Sequence, residues 1–229
     1  MLRKLLIANR GEIAVRINRT AQALGYRTVA VYSEADAGAL HVTEADEAVC
    51  LGPAQANASY LNSEAVLEAA RITGADSIHP GYGFLSENAE FARACRAAGL
   101  VFVGPPEAAI ELMASKRRAK EAMVAAGVPV VPGYESARAS DAALTDAADA
   151  LGYPLMIKAS AGGGGRGMRL VRQASELAEA LTRARSEARQ AFGDDELILE
   201  RAVVDARHVE IQVFADRHGH VVHLRDRDC

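Results

Sequence analysis

The 229-residue sequence is 50 % apolar and 24 % charged, with a net charge of −4 and three cysteines. This is the composition of a globular protein, long enough for one large or two small domains that each bury a core. The acidic balance and the lack of long basic blocks exclude a nucleic-acid surface and a polybasic membrane face. Cys50, Cys95 and Cys229 have no metal-ligand spacing and cannot all pair, which points to a reducing cytoplasm. The apolar run Leu5 to Ala8 is too short for a signal-peptide core.

In chain order, Lys4 to Ala8 is predicted as a buried strand. Asn9-Arg10-Gly11 turns it into a helix over Glu12 to Leu24, whose Ile13, Ile17, Ala21 and Leu24 keep helical spacing. Strands follow at Thr28 to Tyr32 and Ala48 to Leu51. Asn62 or Ser63 can cap a helix running to Arg71. A strand at Ser77-Ile78 leads into the loop His-Pro-Gly-Tyr-Gly-Phe-Leu-Ser-Glu-Asn (79 to 88), then a helix ended by Gly99 and a strand at Leu100 to Val103. Strands alternating with helices imply a mostly parallel sheet up to about Gly104. Ligands of such sheets sit beyond the carboxyl ends of the strands, where Asn9-Arg10-Gly11 and the 79–88 loop fall, although structural turns explain both stretches as well.

Pro106 to Met113 and Lys116 to Ala126 are predicted as a helical connection, with Lys116, Arg117, Arg118 and Lys120 mostly on a solvated face. A second unit begins with a strand from Val130 and a helix near Asp141 to Leu151. A long helix over Glu176 to Ala191 comes later, then Leu197 to Leu199 leading into Glu200. His208 to Phe214 reads as a strand with His208, Glu210 and Gln212 on one face. That face suits solvent or a nucleotide; as a metal site it lacks a third ligand. Asp216 to His220 turns into a final strand, Val221 to Leu224. Having no partner sheet to seat against, that strand suggests a truncated protein.

Within the second unit the most telling stretch is Leu155 to Val171. Two apolar runs, Leu155 to Ala159 and Met168 to Val171, flank a loop holding Gly162 to Gly165, Arg166 and Gly167. Glycines bring backbone N–H groups close to anionic oxygens, and Lys158 and Arg166 supply cations. The loop is followed by a strand, not the helix a dinucleotide fingerprint needs, and Met168 stands where a Walker lysine belongs. A kinase glycine loop has its lysine after the loop, whereas Lys158 precedes it. A nucleotide phosphate cover is the expectation, and four glycines make it costly to order without a ligand.

Several stretches resemble a known family when taken together. They are Ile7 to Ala14 (Ile-Ala-Asn-Arg-Gly-Glu-Ile-Ala), the 79–88 loop, the glycine hairpin, and Arg207-His208-Val209-Glu210-Ile211-Gln212-Val213. In this order, along the whole chain, they resemble the biotin carboxylase component of biotin-dependent carboxylases. Tyr26 to Leu61 looks most like the α-subunits of acyl-CoA carboxylases of the methylcrotonyl- or geranyl-CoA type. Asp226 stands where the family usually has glutamate, and Ala206 where proline is common.

The resemblance implies an α/β fold: a Rossmann-like pre-ATP-grasp domain (1–112), a helical connection (113–130), and an α+β ATP-grasp lid subdomain (131–203). The start of the C-terminal ATP-grasp subdomain (204–229) would follow, truncated before the rest of the ATP-grasp domain. It implies a ligase that uses ATP, Mg2+ and bicarbonate to carboxylate biotin on a carrier domain. The partners would be a carboxyltransferase subunit and, at full length, a second copy of the chain. Lys116 and Lys158 resemble the family's phosphate-contacting lysines. Gly164, Gly165 and Met168 belong to the covering loop and adenine pocket. Glu200 resembles the acid at or beside the adenine amino group. Backbone groups of Arg201 and Val203 would pair with the base edge, and His208 would contact ribose or phosphate. Metal ligands and catalytic residues would lie beyond residue 229, so the fragment alone would bind nucleotide weakly and not catalyse. The acceptor could be methylcrotonyl-, geranyl-, propionyl- or acetyl-CoA. Rival readings are another ATP-grasp ligase, which would share the lid and lack the 79–88 loop, a dinucleotide-binding module, and a non-catalytic oligomerisation module.

Overall fold

The computed structural model describes residues 2–161 and 167–229. The chain divides into two compact units, residues 1–122 and 123–229. In the first unit the strands are β1 (Lys4–Ile7), β2 (Arg27–Ser33), β3 (Glu47–Gly52), β4 (Ser77–His79) and β5 (Val101–Phe102). The helices are α1 (Gly11–Ala23), α2 (Leu40–Thr43), α3 (Ser63–Thr73), α4 (Ala89–Ala97), α5 (Glu107–Ala114) and α6 (Lys116–Ala125), which runs past the unit boundary.

All five strands are parallel, in the order β3-β2-β1-β4-β5. Leu6, Val29, Val31 and Ile78 are fully buried with Val66, Ala69 and Ala70 of α3 and Phe91 and Cys95 of α4. Thr28 to Val31 is buried without alternation, the pattern of a parallel strand covered on both faces. Side-chain caps start the helices: Ala65 N–H donates to Asn62 Oδ1, and Phe91 N–H donates to Asn88 Oδ1.

The second unit contains β6 (Gly133–Tyr134), α7 (Asp141–Leu151), β7 (Leu155–Ala159), β8 (Arg169–Val171), α8 (Leu177–Phe192), β9 (Leu197–Arg201), β10 (Val209–Ala215) and β11 (Val221–Asp228). An antiparallel sheet, β6-β9-β7-β8, packs Leu155, Ile157, Val171, Leu197 and Leu199 against Leu144 and Ala148 of α7 and Leu177, Leu181, Ala184 and Ala188 of α8. β10 and β11 pair in a separate two-stranded sheet.

Two strands differ from the sequence expectation. β6 is only two residues long, because Pro129 and Pro132 cannot donate to a ladder. β11 extends to Asp228 instead of Leu224: β10 pairs with it as far as Val209 opposite Asp228, with Arg225 taking the irregular left-handed position (φ 47°). On β10, Glu210 and Gln212 both reach Arg227, so part of the predicted polar face is occupied by an ion pair and a hydrogen bond. In α6, Arg118 is exposed whereas Lys116, Arg117 and Lys120 are half-buried, and Arg117 pairs with Glu121 at 3.0 Å.

Candidate functional site

The burial of β7 alternates. Leu155, Ile157 and Ala159 sit under the helices, and Met156 and Lys158 point to the opposite face. Register places Met156 opposite Glu200 and Lys158 opposite Ile198, which makes Lys158 and Glu200 diagonal neighbours on that face. Lys158 Nζ donates to Glu200 Oε2 at 2.5 Å, with side-chain exposures of 25 % and 13 %. On the next strand Leu170 lies opposite Met156, and Met168 precedes it, 39 % exposed. The helix-free face therefore presents Met156 and Leu170 beside one tethered ammonium group, over a fully buried Ile198.

The hairpin continues past its paired residues, since Ala159 N–H donates to Gly167 O at 3.2 Å. Gly167 has φ +68°, and a Cβ there would stand 3.0 Å from that of Ala159, so the position requires glycine. Gly164, Gly165 and Arg166, and the expected mobility of their loop, lie outside the described residues.

Arg201 ends β9, and its N–H donates to Pro132 O at 2.9 Å. A base edge meeting the chain at Arg201 therefore has only the carbonyl to use. Val203 follows in an exposed turn, 62 % accessible. His208 is exposed ahead of β10, and its carbonyl accepts from Cys229 N–H at 3.1 Å. Lys116 opens α6 in the first unit. Of the residues singled out from the sequence, the structure thus brings Lys158, Glu200 and Arg201 together on one strand pair. It places His208 just ahead of a separate sheet and Lys116 in the other unit.

The first unit holds a second constellation, at the carboxyl ends of β1 and β4, where the strand order reverses direction. Asn9, 3 % exposed, donates from Nδ2 to Pro80 O and Tyr82 O, each at 2.8 Å, and its Oδ1 accepts from Arg10 N–H at 2.9 Å. Tyr82 hydroxyl donates to Glu12. Gly81 N–H donates to His79 Nδ1 at 3.0 Å, and burial holds the His79 imidazole below its ordinary value. The Arg10 guanidinium lies 5.4 Å from the ring centre of Tyr60 and 5.9 Å from that of Phe84, and it pairs with Asp36 at 3.2 Å. Burial alone would raise Asp36, but hydrogen bonds from Tyr60, Ser33 and Arg10 outweigh it and hold the carboxyl low. Tyr60 is pushed up to about 12 by burial and by its hydrogen bond to Asp36.

Sequence reasoning missed this interlock, which joins residues some 70 positions apart. It also missed Met156, Ile198 and Leu170, although the alternation of β7 marks Met156.

Residues 1–110 match the family described as biotin carboxylase, N-terminal domain. Residues 115–229, half of the chain, match carbamoyl-phosphate synthase L chain, ATP binding domain. The chain is 55 % identical over 229 residues to a biotin carboxylase of Halalkalibacterium halodurans, covering 100 % of this chain and 51 % of the relative. It is 53 % identical over 226 residues to the mitochondrial methylcrotonoyl-CoA carboxylase subunit alpha of Oryza sativa subsp. japonica, covering 99 % of this chain and 31 % of that protein. A crystal structure of the biotin carboxylase domain dimer of Hydrogenobacter thermophilus 2-oxoglutarate carboxylase, in complex with MgADP, ADP and bicarbonate, superposes with a TM-score of 0.96. That match is 47 % identical and covers 100 % of this chain and 50 % of the other. The chain thus spans about a third to a half of the relatives it matches. With a parallel sheet of the N-terminal type followed by an antiparallel sheet of the ATP-binding type, each matching along its length, the chain belongs to the biotin carboxylase family.

Proposed function

We propose that this chain is the nucleotide-binding part of a biotin carboxylase, which uses ATP and bicarbonate to carboxylate biotin on a carrier domain within a biotin-dependent carboxylase. The observation that carries the reading is the Lys158–Glu200 pair on the helix-free face of the antiparallel sheet. A cation fixed there can meet phosphate oxygens, Met156 and Leu170 can receive a purine ring, and a strand end offers backbone groups to its edge. Lys158 takes the triphosphate, and Glu200 orients Lys158. Met168 borders the base, while Arg201 and Val203 read its edge. Gly164 and Gly165 cover the phosphates. Lys116 is proposed as a phosphate contact and His208 as a ribose or phosphate contact, as the family resemblance implies.

Mg2+ supplies charge neutralisation to phosphoryl transfer. No trio of His, Cys, Asp or Glu among the described residues could hold it, so no step is assigned to a metal here. The match to a domain dimer holding MgADP and bicarbonate supports Mg2+, bicarbonate and a second copy of the chain as partners. The match to a methylcrotonoyl-CoA carboxylase subunit supports an acyl-CoA acceptor and a carboxyltransferase subunit. No helix among the described residues is long and apolar enough to cross a membrane.

The test is phosphate release from ATP by the full-length protein and by residues 1–229. The full-length protein should release phosphate in a bicarbonate- and biotin-dependent manner. The 229 residues should bind ATP without releasing it. Bicarbonate-independent hydrolysis by the full-length protein would favour another ATP-grasp ligase.

A further inference from the structure

In an antiparallel ladder the N–H and C=O of one residue point to the same neighbouring strand, and a hydrogen-bonded pair exchanges both bonds. Gly133 lies opposite Glu200 and Tyr134 opposite Leu199, so residue 132 lies opposite Arg201. The first bond of that pair is present, from Arg201 N–H to Pro132 O at 2.9 Å. The second would run from the nitrogen of residue 132 to the Arg201 carbonyl, and a proline nitrogen carries no hydrogen. On the other side of β9, Leu155 is opposite Arg201, and the flanking bond runs from Ala202 N–H to Pro154 O at 3.1 Å. That bond marks Leu155 and Arg201 as a pair that exchanges no hydrogen bond, so the Arg201 carbonyl faces the β6 side, where its ladder donor is missing. Glu200, one residue earlier, carries the tether for Lys158.

We propose that Pro132 is the residue that sets base specificity. By withholding the ladder N–H it keeps the Arg201 carbonyl as an acceptor for the exocyclic amino group of an adenine ring. The inference rests on the nucleotide reading above and adds to it a cause for the discrimination. A purine with an oxo group at that position presents a second acceptor to the carbonyl and is turned away. Any other residue at 132 restores a donor to the ladder, which then competes with the base for the same oxygen.

The test is competitive titration of the full-length protein with ATP and with inosine triphosphate, whose base carries a 6-oxo group. Wild-type protein should prefer ATP. Pro132→Ala should reduce that preference about tenfold, the scale of one hydrogen bond, by weakening ATP and leaving inosine triphosphate unchanged. ATP binding with an unaltered preference in the variant would overturn this inference alone, whereas wild-type protein that binds no ATP would overturn the nucleotide reading and this inference with it. A measurement on wild-type protein guards against a variant that does not fold. The carbonyl carbon-13 shift of Arg201 should move on saturation with ATP and stay in place with inosine triphosphate. Equal movement with both nucleotides would also overturn the inference.

Discussion

Lys158 and Glu200 were both singled out from the sequence, but as separate contacts to a nucleotide. Alternation puts Lys158 on the face of Met156, yet nothing local says which residue of β9 it meets, because that register joins positions 42 apart. The pairing changes what a substitution does. Lys158→Ala removes a charge-assisted phosphate contact worth about 1.5 to 3 kcal/mol. ATP binding by the full-length protein should therefore weaken roughly tenfold to a hundredfold. The same change leaves the mostly buried Glu200 carboxylate without this partner, so the variant should also melt at a lower temperature. Arg118→Ala, at an exposed position of α6, should leave both ATP affinity and melting temperature nearly unchanged. Calorimetric titration and thermal melts of the two variants side by side check this. Equal losses would mean that the phosphate role does not belong to Lys158.

At the level of elements, the helices and most strands were legible because their signals are local. Asn62, Asn88 and Ser140 cap the helices they precede. The hairpin of β7 and β8 follows from two apolar runs around glycines. What local pattern could not give is how the turn after β1 and the 79–88 loop hold each other. Asn9 makes that joint, and its two bonds to backbone carbonyls are buried or half-buried. Gly81 permits it, because φ is +66° and a Cβ there would stand 2.7 Å from Asn9 Nδ2. Asn9→Ala removes three hydrogen bonds, the one from Arg10 N–H included, and orphans a buried carbonyl, at a cost of about 2 to 3 kcal/mol. Gly81→Ala adds a left-handed penalty of about 1 kcal/mol to a steric conflict with Asn9. Both variants should lower the denaturant midpoint, and pairing them should give less than the sum of the two losses, since each breaks the same joint. Full additivity would show that the loop is held independently of Asn9.

Across the whole molecule the two sheets own two separate apolar cores, one around Leu6, Val29, Ile78 and Phe91, the other around Leu144, Leu155, Leu181 and Leu199. The first unit contains a buried histidine, His41, and a half-buried one, His79. His41 is 2 % exposed with Nε2 at 3.2 Å from Val31 O, and His79 accepts from Gly81 N–H through Nδ1. Burial lowers both from the ordinary value of 6.5. The unfolded chain therefore takes up protons at these two rings as the pH falls through about 6.5 more readily than the folded unit does. Stability is unaffected well above that value and is lost progressively below it. Between about pH 8 and about pH 5.5 carboxylates remain ionised, which isolates the histidine contribution. The core of the second unit contains no histidine. Calorimetry of residues 1–229 should accordingly show two transitions, and lowering the pH across this window should move the first unit's transition down much further than the second's. His41→Gln keeps an N–H donor but cannot take a proton there, so it should flatten part of the acid shift. Equal displacement of both transitions in wild-type protein, or an unchanged acid shift in His41→Gln, would rule out these two imidazoles as the cause.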